Sequence, residues 1–152
     1  DWIKSKIERQ ETFKDHYVRR PHRLYTRGMS MQYVPSEMRN HFMPNHNDYD
    51  FQNCHWSIFA QKNKLSDDYA NAIKPMIHQE WLFDEQKQPS VLFSDITYWE
   101  TKALEQSVSE CNVDLLMYDG FMTKEKIDIV DTQQRIKQHT GLDLTIVCKR
   151  AA

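Results

Sequence analysis

The sequence predicts an α+β fold in which an antiparallel sheet has helices packed on one face. Segments with helical spacing of apolar residues occur along the chain between short strand-like segments such as "NDYDF" and "VDLLMY". The pair Asp119 and Gly120 lies between two apolar segments, which is typical of a tight turn that joins antiparallel strands. Together these observations indicate helices and antiparallel strands in one fold.

Composition indicates one globular domain over residues 1–152. The chain is 39% hydrophobic and 12% aromatic, which is sufficient to bury a core. No stretch approaches the roughly 20 apolar residues of a membrane helix, so we do not expect this chain to be an integral membrane protein. The three cysteines are odd in number and far apart, at Cys54, Cys111 and Cys148. They argue against a disulfide framework or a zinc site and favour a reducing, intracellular compartment.

Residues 1–62 are predicted to contain three helices and one strand. An amphipathic helix over residues 1–18 ends before Pro21, because the residue before a proline disfavours helical backbone. A loop-rich segment follows, and a second helix over "PSEMRNHFM" ends at Pro44. The segment "NDYDF" forms a strand that leads into a helix through "SIFAQK". Asp50 therefore lies close to the junction of a strand and a helix.

Residues 66–150 are predicted to add helices, a hairpin and a closing strand. A helical segment over residues 66–83 contains Pro75, which predicts a kink or a break there. The segment "SVLFSDITYWETKALEQSVSE" predicts a long helix that leads into "VDLLMY" and the turn at Gly120. The segment "EKIDIVDTQQRIKQHTG" predicts a helix with Gly141 as its C-cap, and "LDLTIVCK" predicts the closing strand.

A basic segment between residues 14 and 27 is a candidate nucleic-acid contact. Tyr17 and Tyr25 are interleaved with five cations, which are Lys14, Arg19, Arg20, Arg23 and Arg27. Such mixtures suit contacts to phosphates and stacking on bases. A charged and solvated loop between helices has the same composition, so both interpretations stand.

Asp50 and Asp119 form a candidate metal-binding pair. Carboxylates on neighbouring strands can share two divalent cations about 3.5–4 Å apart, and we expect the two side chains to approach within about 4–7 Å. Magnesium prefers carboxylate oxygen and keeps several waters, so one or two protein acids suffice. For Asp119 alone, an Asp-Gly pair at a hairpin is also ordinary turn chemistry.

Several segments resemble family A DNA polymerases. The segment "DFQNCHWSIFA" resembles the first palm motif, and "DYDFQNCHWSI" is similar to the Asp-x-Asp-x-x-Asn-x-His-x-x-Ile pattern of divergent members from phages, giant viruses and mobile elements. Upstream residues match that subgroup in order, namely Arg23, Tyr25, Gln32, Pro35 and Arg39. Downstream, "DLLMYDGFM" resembles the third palm motif, and "TGLDLTIVCKR" resembles the closing strand. The resemblance covers residues 20–60 and 90–150 approximately.

The resemblance implies a palm-like domain that performs template-directed nucleotidyl transfer by a two-metal mechanism in DNA replication. It implies that Asp50 and Asp119 hold Mg²⁺, with Asp48 as an auxiliary acid. His55 falls where the family's nucleotide-sugar gate lies, and Phe51 is a second implied contact to the deoxynucleoside triphosphate. The residues implied to contact the primer–template are Arg19, Arg20, Arg23, Arg39 and Lys149. A viral or mobile-element source is also implied.

The family's fingers helix is not matched in this sequence. Only 69 residues (119 minus 50) separate Asp50 from Asp119, and "KNKLSDDYANAIKPMIHQEW" does not match that helix. The chain is then a minimal palm, a fragment that lacks the fingers segment, or a degenerate palm. In the last case it acts without metal, as a structural or nucleic-acid-binding component of a larger assembly. His55 is then a core histidine whose ring is hydrogen-bonded to the backbone.

Overall fold

The computed structural model describes residues 17–20, 23–26, 30–73 and 91–152. In chain order they form β1 (Tyr17–Arg20), β2 (Arg23–Thr26), a 3₁₀ helix (Met31–Tyr33), α1 (Ser36–Phe42), β3 (Asn47–Phe51), α2 (Cys54–Lys62), α3 (Asp67–Ile73), α4 (Val91–Val108), β4 (Leu115–Leu116), β5 (Gly120–Thr123), α5 (Ile129–Thr140) and β6 (Ile146–Arg150). None of the described helices is both long enough and apolar enough to cross a membrane.

The main sheet has four strands in the order β4-β5-β3-β6. Each neighbouring pair in it is antiparallel. Strands β1 and β2 form a separate antiparallel hairpin. The predicted α+β class with an antiparallel sheet is therefore confirmed.

The hydrophobic core lies between one face of the main sheet and helices α2, α4 and α5. Side chains alternate between the faces of a strand, so Tyr49 and Phe51 of β3 point to the same face. They pack in one buried cluster with residues of the three helices, including Ile58, Leu104 and Ile136. Burying a side chain of this size stabilises the fold by about 1.5–3 kcal/mol. The core therefore fixes which face of β3 is turned away from these helices.

The opposite face of β3 carries Asp48 and Asp50. Asp48 pairs with Met122 of β5, and Met122 belongs to a second, smaller cluster with Met31 and Leu115. The 3₁₀ helix supplies Met31, so it covers part of this face. The alternation of β3 thus separates an apolar core face from a face with two carboxylates.

The β1–β2 hairpin is joined to the main sheet by polar side chains. The hydroxyl of Tyr17 accepts a hydrogen bond from the N–H of Leu116 at 2.8 Å. The amide of Gln32 donates to the carbonyl oxygens of Leu24 at 3.0 Å and Leu116 at 3.2 Å. These contacts hold β2 beside β4 and so place Arg23 within the fold.

Several predicted elements are confirmed. Helix α1, the passage from β3 into α2 and the long helix α4 lie where the sequence patterns placed them. Gly141 adopts the left-handed conformation (φ 74°), and its N–H donates to the carbonyl of Lys137 at 2.9 Å. This is the predicted C-cap of α5, because glycine adopts positive φ without the steric cost of a Cβ.

Other boundaries differ from the predictions. Tyr17 and Val18, assigned to the end of a helix, lie in β1, and the basic segment contains a hairpin rather than a loop between helices. The pairing of two strands overrides local helical spacing here. Helix α5 begins at Ile129 rather than near Glu125, because Asp128 caps it by accepting from the Asp131 N–H at 3.0 Å.

Two further predictions are met in part. The strand in "VDLLMY" is limited to Leu115–Leu116. The helix predicted over residues 66–83 is present over Asp67–Ile73. The break predicted at Pro75, the rest of that helix and residues 1–16 of the first helix lie outside the described residues.

Candidate functional site

Asp50 and Asp119 lie at the same end of the main sheet. Asp50 is paired with Gly120, the first residue of β5. The N–H of Phe51 donates to the carbonyl oxygen of Asp119 at 2.8 Å. The two aspartates are therefore held on neighbouring chain segments by backbone pairing. The approach of their carboxylates to about 4–7 Å stays a prediction.

Gly120 lets Asp50 come close to β5. The Asp-Gly pattern predicted a turn that needs the conformational freedom of glycine. Gly120 does not have positive φ, so that freedom is not the reason for a glycine here. A Cβ at this position would overlap the carbonyl oxygen of Tyr49 and would lie 3.0 Å from Oδ1 of Asp50. Glycine is required because β3 and the carboxylate of Asp50 occupy the space of a side chain.

We expect Gly120→Ala to lower the free energy of unfolding by about 1–3 kcal/mol, because the strands must separate to admit the methyl group. Gly141→Ala is the control, since nothing lies within 4 Å of its Cβ and its cost of about 1 kcal/mol is backbone strain alone. Urea unfolding measures both values. A Gly120→Ala variant as stable as the wild type would contradict the close packing of Asp50 against β5.

Lys149 forms an ion pair with Asp50. Its Nζ lies 2.6 Å from Oδ2 of Asp50. In the β3–β6 ladder, Asp48 pairs with Arg150 and the next residue, Tyr49, pairs with Cys148. Lys149 is left without a partner on β3, so it is the extra residue of a bulge. Bulges redirect side chains at functional sites. Lys149, an implied primer–template contact, is thus engaged with the acidic site itself.

Asp48 is the most deeply buried acid of this face. It is 3% exposed, and its Oδ1 is buried without a hydrogen-bond partner in the described part of the chain. Burial raises its pKa, while the positive charges of Arg39, Lys149 and Arg150 act in the opposite direction. A buried carboxylate oxygen without a hydrogen-bond donor is costly. The lone pairs of Oδ1 of Asp48 are therefore available to coordinate a cation.

The three aspartates influence one another. Burial raises the pKa of Asp50, the hydrogen bond from Lys149 lowers it, and the charge of Asp119 raises it further, with a net upward shift. The charge of Asp119 also raises the pKa of Asp48. Like charges close together disfavour ionisation, so the nearby cations of this face offset the repulsion between these acids only in part.

The donor set suits a hard cation. Carboxylate oxygens are the ligands that magnesium prefers, and one or two suffice when water and phosphate complete the shell. Within the ranges that the structure describes, no group of three or more acidic, histidine or cysteine side chains is arranged to hold a metal. The carboxylates of Asp48 and Asp50, with the unpartnered Oδ1 of Asp48, are donors of the type that magnesium takes, and a magnesium ion held by Asp50 and Asp119 stays a prediction.

His55 belongs to a partly buried cluster of polar side chains that also contains Glu100 and Arg23, here called the Glu100 cluster. Arg23 donates from Nε to Oε1 of Glu100 at 2.7 Å and from Nη2 to Oε2 at 2.8 Å. Nε2 of His55 lies 2.5 Å from Oε2 of Glu100 and 2.7 Å from Nη2 of Arg23. The ring is hydrogen-bonded to side chains rather than to the backbone, and it remains 34% exposed.

Two aromatic rings enclose the guanidinium of Arg23. Its Cζ lies 5.2 Å from the ring centre of Phe93 and 4.7 Å from that of Tyr118. Burial would lower the pKa of Arg23, but the hydrogen bond and charge of Glu100 give a net upward shift. The guanidinium therefore stays charged inside the fold, where its partner is a carboxylate rather than a phosphate.

Glu100 was not predicted as a site residue, although the sequence contains a signal for it. It lies four residues after Ile96 and four before Leu104 on α4, and all three side chains are buried. Residues at this spacing share one face of a helix. A carboxylate in the middle of an apolar stripe is rare unless it is paired.

The other implied contacts are placed as follows. Phe51 is 3% exposed and packs in the core, which gives its ring a packing role rather than a nucleotide contact. Arg39 donates to the carbonyl of Val34 at 2.6 Å. Arg19 and Arg20 have their backbone in β1, and their side chains lie outside the described residues.

Comparison of this chain with protein-family models, with curated proteins and with solved structures finds no match. The acidic site and the Glu100 cluster therefore carry the functional argument.

Proposed function

We propose that this chain is a palm-like domain that performs template-directed nucleotidyl transfer, extending a DNA primer with deoxynucleoside triphosphates. The observation that supports the proposal is the placement of Asp48 and Asp50 on one face of β3, opposite the main core, with Asp119 held by backbone pairing beside the end of that strand. Phosphoryl transfer needs this kind of site, because its catalysis is mostly positioning and stabilisation of negative charge.

Backbone pairing holds the two aspartates on neighbouring chain segments before any ligand enters. Asp50 is on β3, between β5 and β6, and the Phe51 N–H holds the carbonyl of Asp119. Acids on such a rigid frame are preorganised. Magnesium ions held by Asp50 and Asp119 would lower the pKa of the primer 3′-hydroxyl and stabilise the leaving pyrophosphate.

His55 is the proposed contact to the sugar of the incoming nucleotide. It lies in the first turn of α2, shortly after Asp50. Its Nε2 is held by Glu100, so the orientation of the ring is set by a buried group. Packing of this ring under the sugar would discriminate ribonucleotides from deoxyribonucleotides.

A second candidate function is a palm that binds nucleic acid or a larger protein assembly without catalysis. The ion pair of Lys149 favours it, because Asp50 then has a counter-ion without metal. The internal partners of Arg23 and Arg39 favour it also, since these guanidinium groups already bind oxygen atoms of the protein.

Primer extension with and without magnesium separates the two functions. We expect the wild-type chain to extend a labelled DNA primer on a template only when magnesium is present, and Asp119→Asn to abolish the extension. A folded wild-type chain that binds primer–template and extends nothing would contradict catalysis and support the binding function.

A further inference from the structure

The ion pair of Lys149 with Asp50 joins an exposed cation to a largely buried anion. The side chain of Lys149 is 56% exposed, whereas that of Asp50 is 14% exposed. Asp50 is also located on β3, an interior strand of the sheet. A lysine ammonium is a compact charge on a flexible stem, so it can leave an acceptor without disturbing the backbone. Asp50 cannot follow it, because β3 is paired on both sides.

Arg39, Lys149 and Arg150 all act on the acidic site through their positive charges, but they differ in what they contact directly. The guanidinium of Arg150 donates to the carbonyl oxygens of Asn40, Met43 and His46. That of Arg39 donates to the carbonyl of Val34. Among the described residues, the ion pair to the three aspartates of this face is therefore made by Lys149.

We propose that Lys149 is a resident counter-ion that a divalent cation displaces from Asp50, so that metal binding here is an exchange of cations. The inference rests on the metal site of the proposed function and deepens it. A divalent cation that binds the carboxylate of Asp50 is repelled by the ammonium, which lies 2.6 Å from Oδ2. This repulsion favours loss of the ion pair, and the displaced ammonium turns towards solvent.

Binding of Mn²⁺ to the whole chain without nucleic acid tests the exchange. We expect Lys149→Met to bind Mn²⁺ about tenfold more tightly than the wild type, as measured by electron paramagnetic resonance or calorimetry, because no charge-assisted hydrogen bond must be broken. Lys137→Met is the matched control, since Lys137 forms an equally short pair of 2.6 Å with the exposed Asp143. This control should bind Mn²⁺ as the wild type does.

Two further variants keep the test decisive. Lys149→Arg retains a cation, so its affinity for Mn²⁺ should equal that of the wild type or be lower. Lys149→Gln replaces Lys149→Met if the latter fails to fold, and the same tightening is expected. Equal Mn²⁺ affinity in the wild type and the neutral variants, or no binding by any of them, would overturn the exchange.

The outcomes distinguish this inference from the proposed function. Primer extension by the wild type together with equal Mn²⁺ affinities would remove the exchange and leave catalysis intact. Tighter Mn²⁺ binding by the neutral variants, lost when Asp50→Asn is added, would establish the exchange even if no variant extends a primer.

Discussion

Glu100→Ala is expected to lower the free energy of unfolding by about 3–5 kcal/mol, because it leaves the guanidinium of Arg23 buried without its carboxylate. Folded domains are stable by only about 5–15 kcal/mol, so the loss is a large fraction of the total. The ring of His55 loses the same partner and with it a fixed orientation. Denaturant unfolding, followed by far-UV circular dichroism, measures the change.

Glu105→Ala is the control on the same helix. Glu105 pairs with Lys102 at 3.0 Å near the surface, where an ion pair contributes about 0–1 kcal/mol. The double variant Arg23→Met with Glu100→Met should recover much of the stability that Glu100→Ala loses, since it removes both charges together. Equal effects of Glu100→Ala and Glu105→Ala would contradict a buried, paired Glu100.

Asp50→Asn is expected to reduce the rate of primer extension about a thousandfold while the fold is retained. A metal ion supplies several kcal/mol of transition-state stabilisation, and about 4 kcal/mol corresponds to that factor. Asp143→Asn is the control, since Asp143 forms an exposed surface ion pair with Lys137 and does not pair with the acidic site. It should leave the rate unchanged.

The same variant should be more stable than the wild type at neutral pH. The pKa of Asp50 is raised in the folded chain, first by burial, so the native state binds this proton more tightly than the unfolded state does. Stability from this group is then present below the ordinary pKa of about 4 and is lost as pH rises through the raised value. The gain from Asp50→Asn should therefore appear at pH 7 and vanish below about pH 4. An Asp50→Asn variant that is less stable than the wild type at pH 7 would contradict this prediction.

The local patterns of the sequence predicted most of the elements around the acidic site. Strand β3 lies in the alternating segment "NDYDF", and β4 and β5 lie in the apolar segments on either side of Asp119. Both patterns involve only neighbours in sequence. The C-cap at Gly141 depends on one backbone conformation, which glycine favours. Each of these features is encoded within a few residues.

The features that were not predicted depend on contacts between distant residues. Strand β1 forms because β2 pairs with it, against the helical spacing of the preceding segment. Position 120 requires glycine because the carbonyl of Tyr49 occupies the space of a side chain. Glu100 can be buried in α4 because it pairs with the guanidinium of Arg23, 77 positions earlier in the chain. Spacing along the chain contains no information on which distant group will meet a given side chain.

A crystal structure of the chain with Mn²⁺ tests the central claim most directly. The account predicts an anomalous Mn²⁺ peak about 2–2.5 Å from carboxylate oxygens of Asp50 and Asp119, with the two carboxylates about 4–7 Å apart and Lys149 displaced. Carboxylates more than about 10 Å apart, or an acidic face without an anomalous peak at saturating Mn²⁺, would contradict it.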